Sequence, residues 1–160
     1  MTESVATHMP VLEQVVAQYK PQSVLEFGMG LHSTTLFVAS CPRVVSVEMN
    51  SLEWYDRTRS EVGGANNWNP HLFMGPVRWM ADLPRAEPKQ WYDLVFVDGH
   101  GSSRHAQILY GLAVSKLVVC HDTQEPSYHW TAAYAAISDA GGVFSDHEVD
   151  GVNTTVVRCA

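Results

Sequence analysis

Acidic and imidazole side chains stand directly after three apolar runs of this sequence. They are Glu48, Asp98 and the adjacent pair His121-Asp122. Carboxylates and imidazoles can accept hydrogen bonds, remove protons or hold a metal ion. Because the carboxyl ends of parallel strands meet at one edge of a sheet, we expect these side chains to converge on one site. For any one of them alone, a helix cap or a solvated loop residue is the simpler interpretation.

A glycine turn follows an earlier apolar run, residues 23–27, in the order Gly28-Met29-Gly30. Glycine has no Cβ, so such a turn at a strand end lets the backbone pass close to a bound ligand. We expect a helix to follow, capped by Ser33 or Thr34, with free first-turn amides for a carboxylate or a phosphate. A tight strand-to-helix turn without a ligand is the alternative interpretation.

Strands and helices are predicted to alternate along the chain and to position these residues. The predicted helices start near Pro10, Ser33, Ser51, Ser102 and Trp130. The predicted strands are 23–27, 43–48, 77–80, 92–98 and 116–122, and a hairpin of 143–148 with 154–159 turns at Asp150-Gly151. We interpret residues 63–76 as a loop, in which Trp68 is a core or rim residue or, alternatively, a lid. The alternation predicts an α/β fold: a doubly wound, mostly parallel seven-stranded sheet with a C-terminal antiparallel hairpin and helices on both faces.

The composition limits the partners of the protein. A chain of 160 residues with 46% apolar content fits a single domain, residues 1–160, with an N-terminal helix in 1–21 and a core in 22–160. Its formal charge is −7, and its ten basic residues are scattered, which argues against nucleic acid as a partner. Neither a membrane-spanning run nor a signal pattern is present, and the three cysteines suit reduced thiols. We therefore expect a cytoplasmic protein without a membrane or nucleic-acid partner.

Four segments together resemble the class I S-adenosylmethionine (SAM) dependent methyltransferases. They are Leu25–Gly30, Val45–Glu48, Tyr92–Gly99 and Val119–Thr123. Within that superfamily the sequence is most similar to small bacterial O-methyltransferases with Val-Asp-Gly after strand four and His-Asp-Thr after strand five. The resemblance extends over roughly residues 22–159. It implies a Rossmann-like fold, SAM as methyl donor and S-adenosylhomocysteine (SAH) as product.

The resemblance also implies roles for the residues of the cofactor site. Glu48 would accept hydrogen bonds from both ribose hydroxyls, and Met49 would pack on the adenine. Glu26 would hold the ammonium of the methionine moiety, directly or through water, and Ser33 would face its carboxylate. Asp82 would occupy the place of the acid that meets the adenine amino group. The full set of implied cofactor-binding residues is Glu26, Gly28, Gly30, Ser33, Glu48, Met49 and Asp98.

The implied catalytic residues are Asp98, His121 and Asp122. In some members of the superfamily, acids at these places hold a divalent ion that lowers the pKa of the acceptor. In one interpretation the same three residues are metal ligands for Mg, Mn or Fe. In the other, without metal, His121 or His100 is the general base. We interpret the other histidines, among them His8, as surface or capping residues.

Three functions are compatible with this sequence. The first is SAM-dependent O-methylation of a small hydroxylated or sugar-like acceptor. The second is a SAM-binding domain without independent catalysis, because few residues precede strand one and no cap is inserted; a homo-oligomer could then complete the acceptor pocket. The third is an NAD-binding domain. Glu26 beside the turn would face a pyrophosphate, and Ser33 replaces the third glycine of the NAD fingerprint, so NAD is the least favoured ligand.

Overall fold

The computed structural model describes residues 6–87, 91–139 and 141–159. The helices of this part of the chain are α1 (Met9–Tyr19), α2 (Leu31–Ser40), α3 (Leu52–Val62), α4 (Arg78–Ala86), α5 (Arg104–Val114) and α6 (Trp130–Asp139). The strands are β1 (Ser23–Phe27), β2 (Arg43–Glu48), β3 (Trp68–Leu72), β4 (Leu94–Val97), β5 (Leu117–His121), β6 (Val143–Val149) and β7 (Val152–Arg158). Within the described ranges, every helix is too short or too polar to cross a bilayer.

The strands form one sheet in the order β3-β2-β1-β4-β5-β7-β6. Strands β1 to β5 pair in parallel, whereas β7 is antiparallel to both β5 and β6. Strand β1 has β2 on one side and β4 on the other, so the direction of winding reverses between β3 and β4. In sheets of this kind, ligands bind beyond the carboxyl ends of the strands at such a reversal. The predicted doubly wound α/β fold with its C-terminal hairpin is confirmed.

Helices cover both faces of the sheet, and β4 shows the consequence most clearly. Val95 and Val97 pack in one apolar cluster with Trp79 of α4. The alternate residues, Leu94 and Phe96, pack in a second cluster on the other face. Because both faces are buried, the strand is apolar at every position rather than at every second one. Its first polar residue, Asp98, therefore comes directly at the edge of the sheet.

The two ends of the chain follow the sequence predictions. Helix α1 has Pro10 in its first turn and buries Val11, Leu12 and Val15. The hairpin of β6 and β7 turns at Asp150-Gly151, where both residues have positive φ, 51° and 78°. Two successive left-handed residues give a turn whose twist matches that of the flanking strands.

The prediction of a strand at 77–80 is wrong. The third strand is β3, inside the segment that the sequence analysis interprets as a loop, and residues 78–86 form α4. Strand β3 lies at the edge of the sheet, where Pro70 is tolerated because one side of the strand needs no donor. In α4, the buried side chains Trp79 and Leu83 are four residues apart, which is helical spacing.

Two residue interpretations change with this correction. Trp68 is no lid, because its indole is buried under the sheet edge and donates to Ser46 Oγ over 3.0 Å. Asp82 lies within α4 rather than after a strand. It forms ion pairs with Arg78 at 2.8 Å and Arg85 at 3.6 Å on the helix surface. The structure therefore gives Asp82 no place beside an adenine.

Gly28 brings the ends of β1 and β4 together. Its φ is +86°, and a Cβ at this position would lie 2.3 Å from the carbonyl oxygen of Asp98. Its own N–H donates to Val47 O over 2.8 Å. The absence of a side chain at Gly28 is thus required by the protein backbone itself, before any ligand is considered.

We expect Gly28→Ala to lower the free energy of unfolding by about 2–4 kcal/mol, from the positive φ and the steric conflict with Asp98 together. Urea denaturation measures this loss. Gly63→Ala is the matched control, because Gly63 has a similar φ of +81° but open space around its missing Cβ. An equal loss in both variants would show that the contact with Asp98 contributes nothing.

Candidate functional site

A cavity of about 390 Å³ opens at the carboxyl ends of β1, β2 and β4. Four of the predicted cofactor-binding residues line it, Gly28, Glu48, Met49 and Asp98, and so does His100, a predicted general base. The other lining residues are Met29, Asn50, Ser51, Trp54, Gly99, Gly101, Arg104 and Tyr128. The cavity therefore lies at the reversal point of the sheet, with acids from β2 and β4 on its wall.

Glu48 is held in place through one of its two carboxylate oxygens. Oε1 accepts from the backbone N–H groups of Asn50 at 2.7 Å and Ser51 at 3.1 Å. Ser51 in turn caps α3 by accepting from Trp54 N–H at 3.1 Å. Among the described residues, Oε2 has no hydrogen-bond partner. The result is a fixed carboxylate with one oxygen available to a ligand in the cavity.

An apolar wall stands beside this carboxylate. The Trp54 indole donates to Met29 O over 2.5 Å, which fixes the ring at the cavity. Met49 is buried, and its sulfur accepts from Gln107 Nε2 at 3.2 Å. The sequence analysis missed Trp54. Its position, three residues after the serine that caps the helix following β2, is the signal that could have found it.

Glu26 lies beneath the glycine turn and is fully buried. Its carboxylate accepts from three hydroxyls, Ser33 at 2.6 Å, Thr34 at 2.7 Å and Ser46 at 2.6 Å. Burial raises the pKa of Glu26 to about 7, although the three hydroxyls act to lower it. The carboxylate is thus occupied inside the protein, and any contact with an ammonium in the cavity would be indirect.

Helix α2 begins at Leu31 with Gly30 as its N-cap and without a side-chain cap. Neither Ser33 nor Thr34 is the N-cap residue. Both hydroxyls donate to Glu26, and Thr34 Oγ1 also accepts from the N–H of Gly30 at 3.1 Å, so the predicted acceptance from a helix-start amide holds for Thr34 alone. Ser33 is buried, and a Cβ on Gly30 would lie 2.6 Å from Ser33 Oγ. Gly30 leaves room for this internal hydrogen bond, while its role toward a ligand stays a prediction.

A second group of polar side chains joins the ends of β4 and β5. Asp98 Oδ1 accepts from Arg104 Nη2 at 2.7 Å and lies 3.2 Å from His121 Nδ1. Asp122 Oδ2 is 3.6 Å from the same two nitrogens. The three predicted catalytic residues are thus brought together, with Arg104 between the two acids. The sequence analysis missed Arg104, which lies on α5.

Asp98 is ionised in this environment. Burial acts to raise its pKa, but the hydrogen bond from His121 and the charge of Arg104 outweigh that effect and hold the pKa below its usual value. An ionised Asp98 orients the ring of His121 with its N–H on Nδ1 and its lone pair on Nε2. Nε2 lies 3.0 Å from the hydroxyl of Thr7.

His8 also belongs to this group, although the sequence did not predict it there. Its ring lies 4.6 Å from that of His121 between centroids, and neither of its nitrogens has a partner in the described part of the chain. Burial lowers the pKa of His8 to about 4, so the ring is neutral at pH 7. The interpretation of His8 as a surface residue is wrong; it occupies the N-cap position of α1, although its side chain makes no capping hydrogen bond. Only long-range packing of α1 against β5 places His8 beside His121, and no local sequence pattern predicts that contact.

Glu26 and His8 predict opposite dependences of stability on pH. Since the folded-state pKa of Glu26 is raised from 4.5 to about 7, its contribution to stability is full below pH 4.5 and is lost as the pH rises through 7. His8 has a lowered pKa, from 6.5 to about 4, so its contribution is full above pH 6.5 and is lost as the pH falls through 4. Each shift corresponds to about 3 kcal/mol.

We therefore expect Glu26→Gln to be more stable relative to the wild type at pH 8 than at pH 5, and His8→Gln to show the reverse. Urea denaturation at both pH values measures the two differences. Subtracting the wild-type values removes the contribution of all other titrating groups. If the difference in unfolding free energy between a variant and the wild type were the same at pH 5 and pH 8, the assigned burial of that group would be contradicted.

The predicted metal set, Asp98, His121 and Asp122, does not fit a divalent ion. The guanidinium of Arg104 already lies at both acids. An ion bound between these acids would have to displace the guanidinium or share both carboxylates with it. His8, Asp98 and His121 also present ligand atoms within 4.8 Å of one another. This second set shares Asp98, one of whose oxygens already accepts from Arg104.

Comparisons with known proteins identify the fold. No protein-family model and no curated protein matches the chain. An O-methyltransferase from Bacillus cereus in complex with SAH is similar, with a TM-score of 0.79 and 16% identity over 99% of this chain and 83% of that one. The O-methyltransferase TomG from Streptomyces achromogenes, involved in tomaymycin synthesis and solved with SAM, gives 0.72 and 17% over 97% and 80%. A methyltransferase from Geobacter sulfurreducens gives 0.64 and 16% over 94% and 77%. The chain therefore has the fold of the class I SAM-dependent methyltransferases.

Proposed function

We propose that this protein is a SAM-dependent methyltransferase that methylates a hydroxyl group of a small acceptor. The observation that carries the proposal is the free Oε2 of Glu48, held at the wall of a cavity at the reversal point of the sheet. A carboxylate in this position can accept from two vicinal ribose hydroxyls. Met49 and Trp54 supply the apolar surface beside it for an adenine ring.

The charge of the cavity favours SAM over a dinucleotide. Glu48 and Asp98 both line it, and the sulfonium and ammonium of SAM are cations. A pyrophosphate would bring two negative charges to the same acids. Arg104 is the nearest cation, but its donors are already bound to Asp98 and to the carbonyls of Gly99 and His121.

His121 is the general base of the proposed reaction. Asp98 accepts from Nδ1–H and leaves Nε2 as the atom that receives the proton of the acceptor hydroxyl. In the structure the Thr7 hydroxyl is hydrogen-bonded to Nε2, and the hydroxyl of the acceptor would take the place of that of Thr7. SAM, when bound, would supply the methyl group to the acceptor oxygen and leave as SAH, while the proton of the hydroxyl would pass to Nε2 of His121.

A second candidate function is SAM binding without independent catalysis. It is favoured by the contact of Thr7 with His121, whose side chain is 12% exposed, because this leaves an acceptor little access to Nε2. A second copy of the chain that completes the acceptor pocket belongs to this candidate. For both candidates we infer a cytoplasmic protein, which the free thiols Cys41, Cys120 and Cys159 support.

The test is formation of SAH from SAM with a panel of catechols, sugars and polyketide-like phenols. We expect turnover with at least one acceptor class, and a loss of about 100-fold or more in Asp98→Asn, because the base loses its orienting carboxylate. Asp82→Asn is the control, an acid on α4 that does not line the cavity and is paired with Arg78 and Arg85. Binding of SAM without turnover on any acceptor would favour the second candidate, and unchanged turnover in Asp98→Asn would remove His121 and Asp98 from the mechanism.

A further inference from the structure

The buried guanidinium of Arg104 links the ends of β4 and β5 through hydrogen bonds. The Arg104 side chain is 6% exposed, and its three nitrogens each have an acceptor. Nε donates to Gly99 O at 3.0 Å, Nη1 to His121 O at 2.5 Å and Nη2 to Asp98 Oδ1 at 2.7 Å. The guanidinium also lies over the ring of Tyr128, 4.3 Å from its centre.

These acceptors form a site for a planar cation. Two neutral carbonyls and one carboxylate lie around the edge of the guanidinium, while Tyr128 covers its face. A metal ion has no such face and would draw its ligands around a sphere. The arrangement therefore matches arginine in shape as well as in charge.

We propose that Arg104 is the resident cation of this site and takes the place that a divalent metal would otherwise fill between Asp98 and Asp122. Its single positive charge lies 2.7 Å from one acid and 3.6 Å from the other. The chain then needs no metal to keep these two carboxylates ionised beside each other. The methyl transfer of the proposed function is metal-independent for this reason, and Arg104 acts in it as a positioning residue through Asp98.

The remaining charge balance agrees with this assignment. The carboxylates of Asp98 and Asp122 and the guanidinium of Arg104 together carry a formal charge of −1. A bound sulfonium would bring one positive charge to this side of the cavity and offset it. A divalent ion in addition would leave an excess of positive charge.

Binding of Mn²⁺, followed by electron paramagnetic resonance without SAM, tests the cation assignment separately from the proposed function. We expect the wild type to bind no Mn²⁺ at millimolar concentration. Arg104→Gln should gain a site at least about 10-fold tighter, because two carboxylates are left without a cation. Adding Asp98→Asn to that variant should remove the gained site. Arg78→Gln is the control, an exposed arginine paired with Asp82 on α4.

Arg104→Lys separates charge from shape. We expect it to bind no Mn²⁺, since the positive charge remains, and to lose turnover because a single ammonium cannot reach all three acceptors. Mn²⁺ binding by Arg104→Lys equal to that of Arg104→Gln would overturn the proposal. Stoichiometric binding of Mn²⁺ or Zn²⁺ by the wild type would also overturn the proposal. If His8→Gln then lost this binding, the metal would lie on His8, Asp98 and His121. If Arg104→Gln does not fold, the wild-type titration alone decides between these outcomes.

Discussion

Glu48→Gln is expected to weaken the binding of SAM by about 10- to 100-fold, which corresponds to the loss of charge-assisted hydrogen bonds to the ribose. The backbone amides of Asn50 and Ser51 hold Oε1 of the native carboxylate, so Oε2 faces the cavity. A glutamine places an NH₂ group at one of these two positions. If the NH₂ group replaces Oε1, it faces the backbone N–H groups of Asn50 and Ser51, which are donors themselves. If it replaces Oε2, it offers a donor where the ribose hydroxyls need an acceptor.

Isothermal titration calorimetry with SAM and with SAH measures the change for the wild type and the variant. Glu53→Gln is the matched control, an exposed acid in the first turn of α3. It removes the same charge from nearly the same place without touching the cavity wall. Equal affinities of the wild type and Glu48→Gln would show that this carboxylate does not contact the cofactor.

His121→Gln is expected to lower kcat by about 10²- to 10⁴-fold, the usual contribution of a positioned general base. A glutamine at this position can still accept from a neighbour, but it cannot take up the proton of an acceptor hydroxyl. The affinity for SAM should change little, because the cavity is lined by residues other than His121. Turnover under saturating SAM, together with a calorimetric Kd, separates the two effects.

The control for this prediction is His147→Gln on the C-terminal hairpin, whose ring forms its one hydrogen bond among the described residues with Ser145. It should keep wild-type turnover. A His121 variant with unchanged kcat would move the proton transfer to another group, and His100 at the cavity wall would be the next candidate.

The strands that carry the site were predictable because their burial is local and complete. β1, β2, β4 and β5 are mostly apolar and covered on both faces, with Glu26 and Ser46 as buried polar exceptions, and each ends at a polar residue or a glycine turn. β3 was not predictable in this way, since Asn69 and Pro70 are typical of loops. Its pairing with β2 comes from its place at the edge of the sheet.

The residues of the site also differ in whether the sequence could predict them. Glu48 and Asp98 could be predicted because a strand end fixes their position. Arg104 is the first residue of α5 and His8 is the N-cap residue of α1, and only tertiary packing brings them to His121. The role of Glu26 toward the cofactor stays a prediction, and its sequence position could not reveal that three hydroxyls enclose it.

A crystal structure of the protein grown with SAM or SAH tests the central claim most directly. The account predicts the ribose hydroxyls on Oε2 of Glu48, the adenine beside Met49 and Trp54, and the sulfur on the side of Asp98. An empty cavity at saturating ligand, or the nucleoside bound at a place away from Glu48, would contradict it.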